Sequence, residues 1–519
     1  MRKPKKVMTA AEVAASIQDG QTIAGSGFVA SALPEALYIA LEKRFLETGS
    51  PKNLTFCYAS SQGSWGGTGG DRFAHKGMTK RVIGAHYATA PAMGKALLNN
   101  ELEGYNFPQG AITNLFREIA ANKVGTITHV GLHTFVDPRI EGGKINSITK
   151  EDLVEVINIG GREMLWFKAF PVDVALIRGS YADENGNVTV HREVIPGEVT
   201  AIAQAAKNSG GKVYVQVEKI VKAGTLDAKM VKIPGIYVDA LVVAEPHEHE
   251  QSIGCDFDPS LTGEVRIPVD SLEPLPLDAK KIIGRRGAME LSEGVVVNLG
   301  IGAPEYVSAV ANEEGISDFM TLTVEAGPIG GVPQGGKRFG STRNAEAILC
   351  HHEQFDFYDG GGLDLAFLGL AESDKNGSIN VSRFGPKLAG CGGFMHIAQS
   401  AKKVFFLGTF TAGGLKTSVK DGKLIIDVEG REKKFVDTVE QITFNGKYNA
   451  EKGKNVKYIT ERAVFELRKD GVYLMEVAPG IDVQTQILDL MDFTPKMDGE
   501  PKIMDAKLFR TELMGLKQD

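Results

Sequence analysis

Apolar and polar positions along this chain follow two rhythms in turn, one of period 3.6 and one of short buried runs. Thr9-Ala10-Ala11-Glu12 has the spacing of a capping box, Val13 and Ile17 share one helical face, and Gly20 supplies a stop. Gln21 to Ala24 reads as a strand that enters the glycine-rich turn Gly25-Ser26-Gly27-Phe28, and Pro34-Glu35 suits the first turn of a second helix. The same order returns later. Residues 277–293 read as a helix (Ile282, Ile283, Ala288, Met289, Leu291) stopped near Gly294. The strand Val295-Val296-Val297 follows, then Gly300-Ile301-Gly302-Ala303-Pro304-Glu305 and another helix.

A further match joins Asp173-Val-Ala-Leu-Ile177 and its continuation Asp183 to Val190 with Asp364-Leu-Ala-Phe-Leu368 and Asp374 to Val381. In both, a buried strand leads to an Asn-Gly hairpin. A later strand follows a basic residue, at Lys212 in one copy and Lys403 in the other. The two matches have different offsets, which places extra residues in the first copy near 50–145 and makes the chain a tandem of two related halves. Pro246, Pro259, Pro268, Pro274 and Pro276 punctuate a stretch with neither period, so 248–277 reads as a linker between domains 1–247 and 278–519. Apolar strands alternating with helices predict an α/β class: two tandem related α/β domains with mostly parallel sheets. Ligands of such sheets sit beyond the carboxyl ends of strands, which puts the chemistry at the loops near 25, 300 and 325, facing across the two halves.

Composition sharpens this picture in one respect. Of 519 residues, 61 are glycine, against roughly 7% in ordinary proteins. They follow no collagen period, so backbone must come to close quarters somewhere in the fold. With 58 basic and 65 acidic residues, a net charge of −7 and no basic stripe, nucleic-acid binding is excluded, while a few local Lys and Arg can still hold an anionic small molecule. No apolar run reaches the roughly 18 residues of a membrane span. Arg2, Lys3, Lys5 and Lys6 resemble the start of a signal peptide, but Glu12, Gln18 and Asp19 stand where its apolar core would have to be. Four widely spaced cysteines (57, 255, 350, 391) give neither a disulfide framework nor a CxxC site. The expectation is a reduced cytoplasmic protein with no membrane and no nucleic-acid partner.

Several motifs fall short. Gly25-Ser-Gly-Phe-Val-Ala30 fits a dinucleotide fingerprint but lacks the acid about 20 residues on. Gly331-Val-Pro-Gln-Gly-Gly336-Lys337 resembles a P-loop but ends in Arg338, without the hydroxyl for Mg²⁺. His247-Glu-His249 and His351-His352 lack a third ligand close in sequence, so no metal is expected. There is no G-x-S-x-G elbow, and Cys391 between two glycines reads as a packing thiol.

Thr321-Leu-Thr-Val324-Glu325-Ala-Gly327-Pro-Ile-Gly330-Gly331 ends a strand on a single carboxylate ringed by small residues, where a bulky ligand can approach. Taken alone it is a turn acid. Tyr105-Asn-Phe-Pro-Gln109-Gly110 adds a neutral amide donor in a turn before a helix. Gly390-Cys-Gly392-Gly393-Phe394 opens a helix whose free N–H groups can face an oxyanion.

Together these residues resemble the family I CoA-transferases, specifically their propionate and short-chain acetate group. Val297 to Glu305, the Glu325 segment, Phe355-Asp-Phe-Tyr-Asp-Gly-Gly-Gly-Leu-Asp364, Gly390 to Phe394, Tyr458-Ile-Thr-Glu-Arg-Ala-Val-Phe465 and Glu476-Val-Ala-Pro-Gly480 carry the likeness, which runs over essentially the whole chain. The resemblance implies an acyl-CoA:carboxylate CoA-transferase with Glu325 as nucleophile, passing through acyl-glutamyl anhydride and glutamyl-CoA thioester. Gln109 and the N–H of Gly393 (or Gly392) are its implied oxyanion donors. CoA would then be a substrate and covalent intermediate, with no permanently bound cofactor, small carboxylates as the other substrates, and a homo-oligomer as the assembly. Phe28, Val324 and Phe394 are expected as apolar walls. Gly300 and Gly302 are expected to meet CoA, with Lys337, Arg338 and Arg343 at its phosphates and Arg285-Arg286 as further candidates there. The turn from Gly25 to Pro34 lacks a glycine that many relatives carry before the proline, which leaves the preferred acid open. A thioesterase on the same scaffold and a non-catalytic metabolite sensor are the rival readings.

Overall fold

The computed structural model describes residues 4–268 and 275–517; Arg2, Lys3 and, within the expected linker, Pro274 lie outside them. The chain forms two compact units. Unit 1 comprises Met1–Ile267, Val324–Asp356 and Gly385–His396, and unit 2 comprises Pro268–Thr323, Phe357–Phe384 and Ile397–Asp519.

Unit 1 begins with β1 (Lys6–Val7) and α1 (Ala10–Ser16). The capping box is formed in full, with Thr9 Oγ1 accepting from Glu12 N and the Glu12 carboxylate accepting from Thr9 N at 2.8 Å. There follow β2 (Thr22–Gly25), α2 (Glu35–Thr48), β3 (Leu54–Cys57), β4 (Thr79–Gly84), α3 (Pro91–Leu98), β5 (Glu103–Asn106) and α4 (Gln109–Ala120). The central sheet has eight strands in the order β1, Ala240–Val243, Lys212–Val217, Val174–Arg178, β2, β3, β4, β5. Every neighbouring pair is parallel. Val174–Arg178 is buried at all positions, and its apolar run Val174 to Ile177 suits the middle of a helix-covered sheet.

Unit 2 carries the second copy. Met320–Thr323, Val295–Leu299, Leu365–Gly369, Lys403–Leu407 and Asn455–Ile459 pair in parallel in that order. Ala463–Arg468 and Gly471–Val477 then add antiparallel, and Lys502–Ile503 adds parallel. The strands matched by the sequence occupy the same places: β2 and Val295–Leu299 each lie between a strand of the 174 or 365 segment and a β3-like neighbour. The Asn-Gly hairpins are built alike too, with Asp183 Oδ1 accepting from Asn185 and Asn187 N, and Asp374 Oδ1 from Asn376 and Ser378 N. Strands β4 and β5 lie within the stretch 50–145.

The first long segment of unit 1 ends at Ile267, within the stretch read from the sequence as a linker. Residues 248–267 nevertheless pack into unit 1. Leu261 and Ser260 are fully buried, and Leu261 joins a cluster with Phe28, Val29, Ala30, Val324 and Ala326. Unit 1 also takes up 324–356 and 385–396 of the second half, and with them the strand-end carboxylate.

Candidate active site

Glu325 sits at the second position of a tight turn. Gly327 N donates to Val324 O and Val324 N to Pro328 O, both at 2.9 Å. The turn needs its glycine: Gly327 has φ +127°, and a Cβ there would stand 2.2 Å from the Leu349 carbonyl oxygen. Glu325 itself is half-buried. An ideal Cβ on Gly393 would lie 3.2 Å from Glu325 Cγ and 3.3 Å from Phe355 Cζ, so the Glu325 stem occupies the space that the glycine leaves.

Gln109, on α4, reaches the neighbouring Gly392. Pro108 precedes the helix and Gln109 is its first residue, so its N–H is one of the orphan donors of a helix start. It donates to Gly392 O at 3.1 Å, and Ala111 N donates to His396 Nε2 at 3.1 Å. Gly110 is required here because a Cβ would meet the His396 ring at 2.6 Å and Phe355 Cγ at 2.7 Å. The Gln109 side chain is 1% exposed. Its Oε1 accepts from Ser60 Oγ at 3.3 Å, and its Nε2 donates to His351 Nε2 at 2.7 Å. The other face of His351 pairs with Glu198, Nδ1 to Oε2 at 2.6 Å.

The two glycines differ. Gly392 N is already bonded to Ala85 O at 2.8 Å, which removes it as an oxyanion donor, whereas Gly393 N has no partner among the described residues. Cys391 N bonds Asn106 Oδ1, and burial pushes the Cys391 thiol far up, as befits a packing residue. Phe28 packs 5.7 Å from Phe339 and edge-on to His351 at 5.8 Å, and it shares the buried cluster with Val324. His86, whose ring lies 3.8 Å from the Cβ position of Gly392, is held down to about 4 by desolvation and is therefore neutral at pH 7.

The expected CoA contacts divide. Lys337 is exposed. Arg343 is tied to Asp258 Oδ2 at 3.0 Å and Ser260 Oγ at 3.3 Å, and Arg338 Nη2 donates to Asp256 O at 3.1 Å. Burial alone would raise the Asp258 carboxyl, but the bonds from Ser260 and Arg343 outweigh it and hold it below its usual value. Gly300 and Gly302 belong to unit 2, where they form the turn after Val295–Leu299. Arg285 and Arg286 are not phosphate ligands. Arg285 is fully buried on the carbonyls of Lys507 and Glu512, and Arg286 is locked bidentate on Glu476 at 2.9 and 2.8 Å. Nothing in the sequence separates these buried arginines from solvent-exposed ones.

Sequence pattern alone does not reveal His351 and Glu198 as members of the site. The doublet His351-His352 is set aside in the sequence for want of a third metal ligand, and Glu198 lies too far along the chain to be linked to it. Of the other histidine pair, His249 is half-buried, its side chain 5% exposed, with Nδ1 3.1 Å from Gln216 Nε2.

A doubly copied parallel α/β fold that brings a strand-end glutamate, a buried amide and a free backbone N–H together belongs to a known class. Residues 7–244 match the family described as Coenzyme A transferase. The chain is 47% identical over 517 residues to the caffeate CoA-transferase of Acetobacterium woodii, covering 98% of each, and it belongs to the coenzyme A transferase family. The acetate CoA-transferase YdiF of Escherichia coli (strain K12) is 41% identical over 513 residues, covering 98% of this chain and 96% of that one. A crystal structure of YdiF from E. coli O157:H7 as a thioester complex with CoA superimposes with a TM-score of 0.93 at 40% identity, covering 99% of this chain and 98% of the other. The protein is thus an acyl-CoA:carboxylate CoA-transferase in reaction class. Among the described residues no helix is long and apolar enough to cross a membrane.

Proposed function

We propose that Glu325 carries CoA between a short-chain acyl-CoA, such as propionyl-CoA or acetyl-CoA, and a free carboxylate. A Glu325 oxygen attacks the thioester carbonyl, the C–S bond breaks, and CoA thiolate leaves an acyl-glutamyl anhydride. The thiolate attacks the glutamyl carbonyl, which expels the donor acid as carboxylate and forms a glutamyl-CoA thioester. An acceptor carboxylate then attacks that thioester to give a new anhydride. The thiolate returns to the acyl carbonyl, yielding new acyl-CoA and free Glu325. One carboxylate replaces another at similar energy, so no ATP is needed.

Each tetrahedral centre bears an oxyanion, for which the second amide N–H of Gln109 and the Gly393 N–H are the proposed donors, each worth about 3 kcal/mol in comparable sites. The observation that carries this reading is the fit of the Glu325 stem into the space left by Gly393, 3.2 Å from its Cβ position, with Gln109 bonded to the adjoining Gly392. Lys337, Arg338 and Arg343 are proposed at the CoA phosphates, with the exposed Lys337 the freest of the three, and Gly300 and Gly302 at CoA. The similarity to a caffeate CoA-transferase supports a second reading, a larger aromatic acid as the acceptor.

Incubation with propionyl-CoA followed by digestion should give a CoA adduct on the peptide holding Glu325, and Glu325→Ala should lose both the adduct and acetate-dependent exchange. Wild type without an adduct under trapping conditions would refute the transferase chemistry. Consumption of propionyl-CoA with no acceptor present would favour a thioesterase. Acetate, propionate and caffeate offered in parallel rank the acids.

A further inference from the structure

We propose that His351 and Glu198 are positioning residues that fix which face the Gln109 amide shows to the reacting carbonyl; this deepens, and rests on, the transferase reading above. A glutamine amide has two ends of nearly equal size, and only the NH₂ end stabilises an oxyanion. At this site both ends are specified. Glu198 is the N-cap residue of the helix Val199–Asn208, where the helix macrodipole favours a carboxylate. Its Oε2 accepts from His351 Nδ1 at 2.6 Å, which puts the imidazole proton on Nδ1 and leaves Nε2 with a lone pair.

A lone pair can face only a donor, so the Gln109 group 2.7 Å away must be the NH₂. Ser60 Oγ, at 3.3 Å, then meets the amide oxygen as donor. The remaining amide N–H has no partner among the described residues. With the proton on Nε2 instead, the imidazole would select the amide oxygen and turn the NH₂ away.

The arrangement is buried and closely packed. Gln109, His351 and Glu198 are 1%, 0% and 2% exposed, and the His351 ring is packed by Phe28 at 5.8 Å and Phe355 at 5.5 Å. His351 N bonds Gly197 O at 3.1 Å, which holds the histidine against the segment that carries Glu198. Neither residue touches Glu325 by any described bond, so their effect on the reaction passes through Gln109.

A double-mutant cycle on propionyl-CoA:acetate exchange tests this. His351→Leu should lower kcat about ten- to a hundredfold, less than the loss of a whole oxyanion donor, with KM for propionyl-CoA within about twofold. His351→Gln restores an acceptor facing the Gln109 amide and should recover much of kcat. In a Gln109→Ala background, His351→Leu should cost less than about twofold more, because its target is gone. Additive losses, or no rescue by His351→Gln in a protein that melts like wild type, would overturn the positioning role while leaving the transferase intact. Failure of wild type itself to exchange CoA overturns the transferase reading, and this one with it. If His351→Leu does not fold, Glu198→Gln carries the same cycle with the same expected non-additivity.

Discussion

At the scale of single residues, two glycines beside Glu325, the proposed nucleophile, do different work. Gly327 has φ +127°, and a side chain there strikes the Leu349 carbonyl at 2.2 Å, so Gly327→Ala should destabilise the fold by about 1–3 kcal/mol. Gly393 has no unusual φ, and its added methyl would press on Glu325 Cγ at 3.2 Å. Gly393→Ala should therefore keep its melting temperature within a degree or two while kcat falls about tenfold or more, since small misplacements of a reacting group are costly. Thermal melts and exchange kinetics on the two variants separate the roles. Equal losses of stability, or a Gly393→Ala enzyme at full rate, would contradict the assignment. Glu325 taken alone reads as a turn acid; it stands out in the sequence once the Gln109 segment and residues 390–394 are set beside it.

At the scale of elements, the helices and strands were legible where local chemistry decides them. The Thr9–Glu12 box starts α1 where the pattern puts it, and the run Val295 to Val297 becomes a parallel strand. The repeat implies only that the two halves share a strand order, not what that order is. What the pattern hides is the fate of aperiodic chain. Residues 248–267 carry prolines and no period, and so read as a tether, yet their Leu261 is sealed against Phe28 and Val324. An isolated buried leucine leaves no periodic trace. The Glu198–His351 pair is invisible for a related reason, because two turns brought together by the fold carry no shared spacing. Leu261→Ala should cost about 2–5 kcal/mol, as for other buried leucines, read as a lower denaturation midpoint with an unchanged m-value. A midpoint equal to wild type would mean that 248–267 is a tether after all.

At the scale of the whole molecule, the titrating groups are distributed unevenly. His86, His191, His249 and His352 all belong to unit 1, and burial holds each below its ordinary value, His86 at about 4. A depressed folded pKa means that the unfolded chain takes up protons first as pH falls. The stabilisation is complete above about 6.5 and is lost progressively toward 4. Glu193, held at about 2, adds the same sign at lower pH. Burial raises Glu35 in the same unit, and that carboxyl works in the opposite direction. Unit 2 has its perturbed bases at the other end of the scale. Burial pushes Lys434 and Lys454 down to about 8, so this unit gains stability as pH rises from 8 toward 10.5 and is insensitive to them below 8. Between pH 7 and 5, hydrogen exchange corrected for intrinsic rate should therefore rise first in peptides of unit 1, and His86→Asn should flatten part of that slope. Protection lost first from unit 2, or an unchanged slope in His86→Asn, would show that the acid limb lies elsewhere. The region that loosens first also holds Glu325 and Gln109, so exchange activity should fall over the same interval.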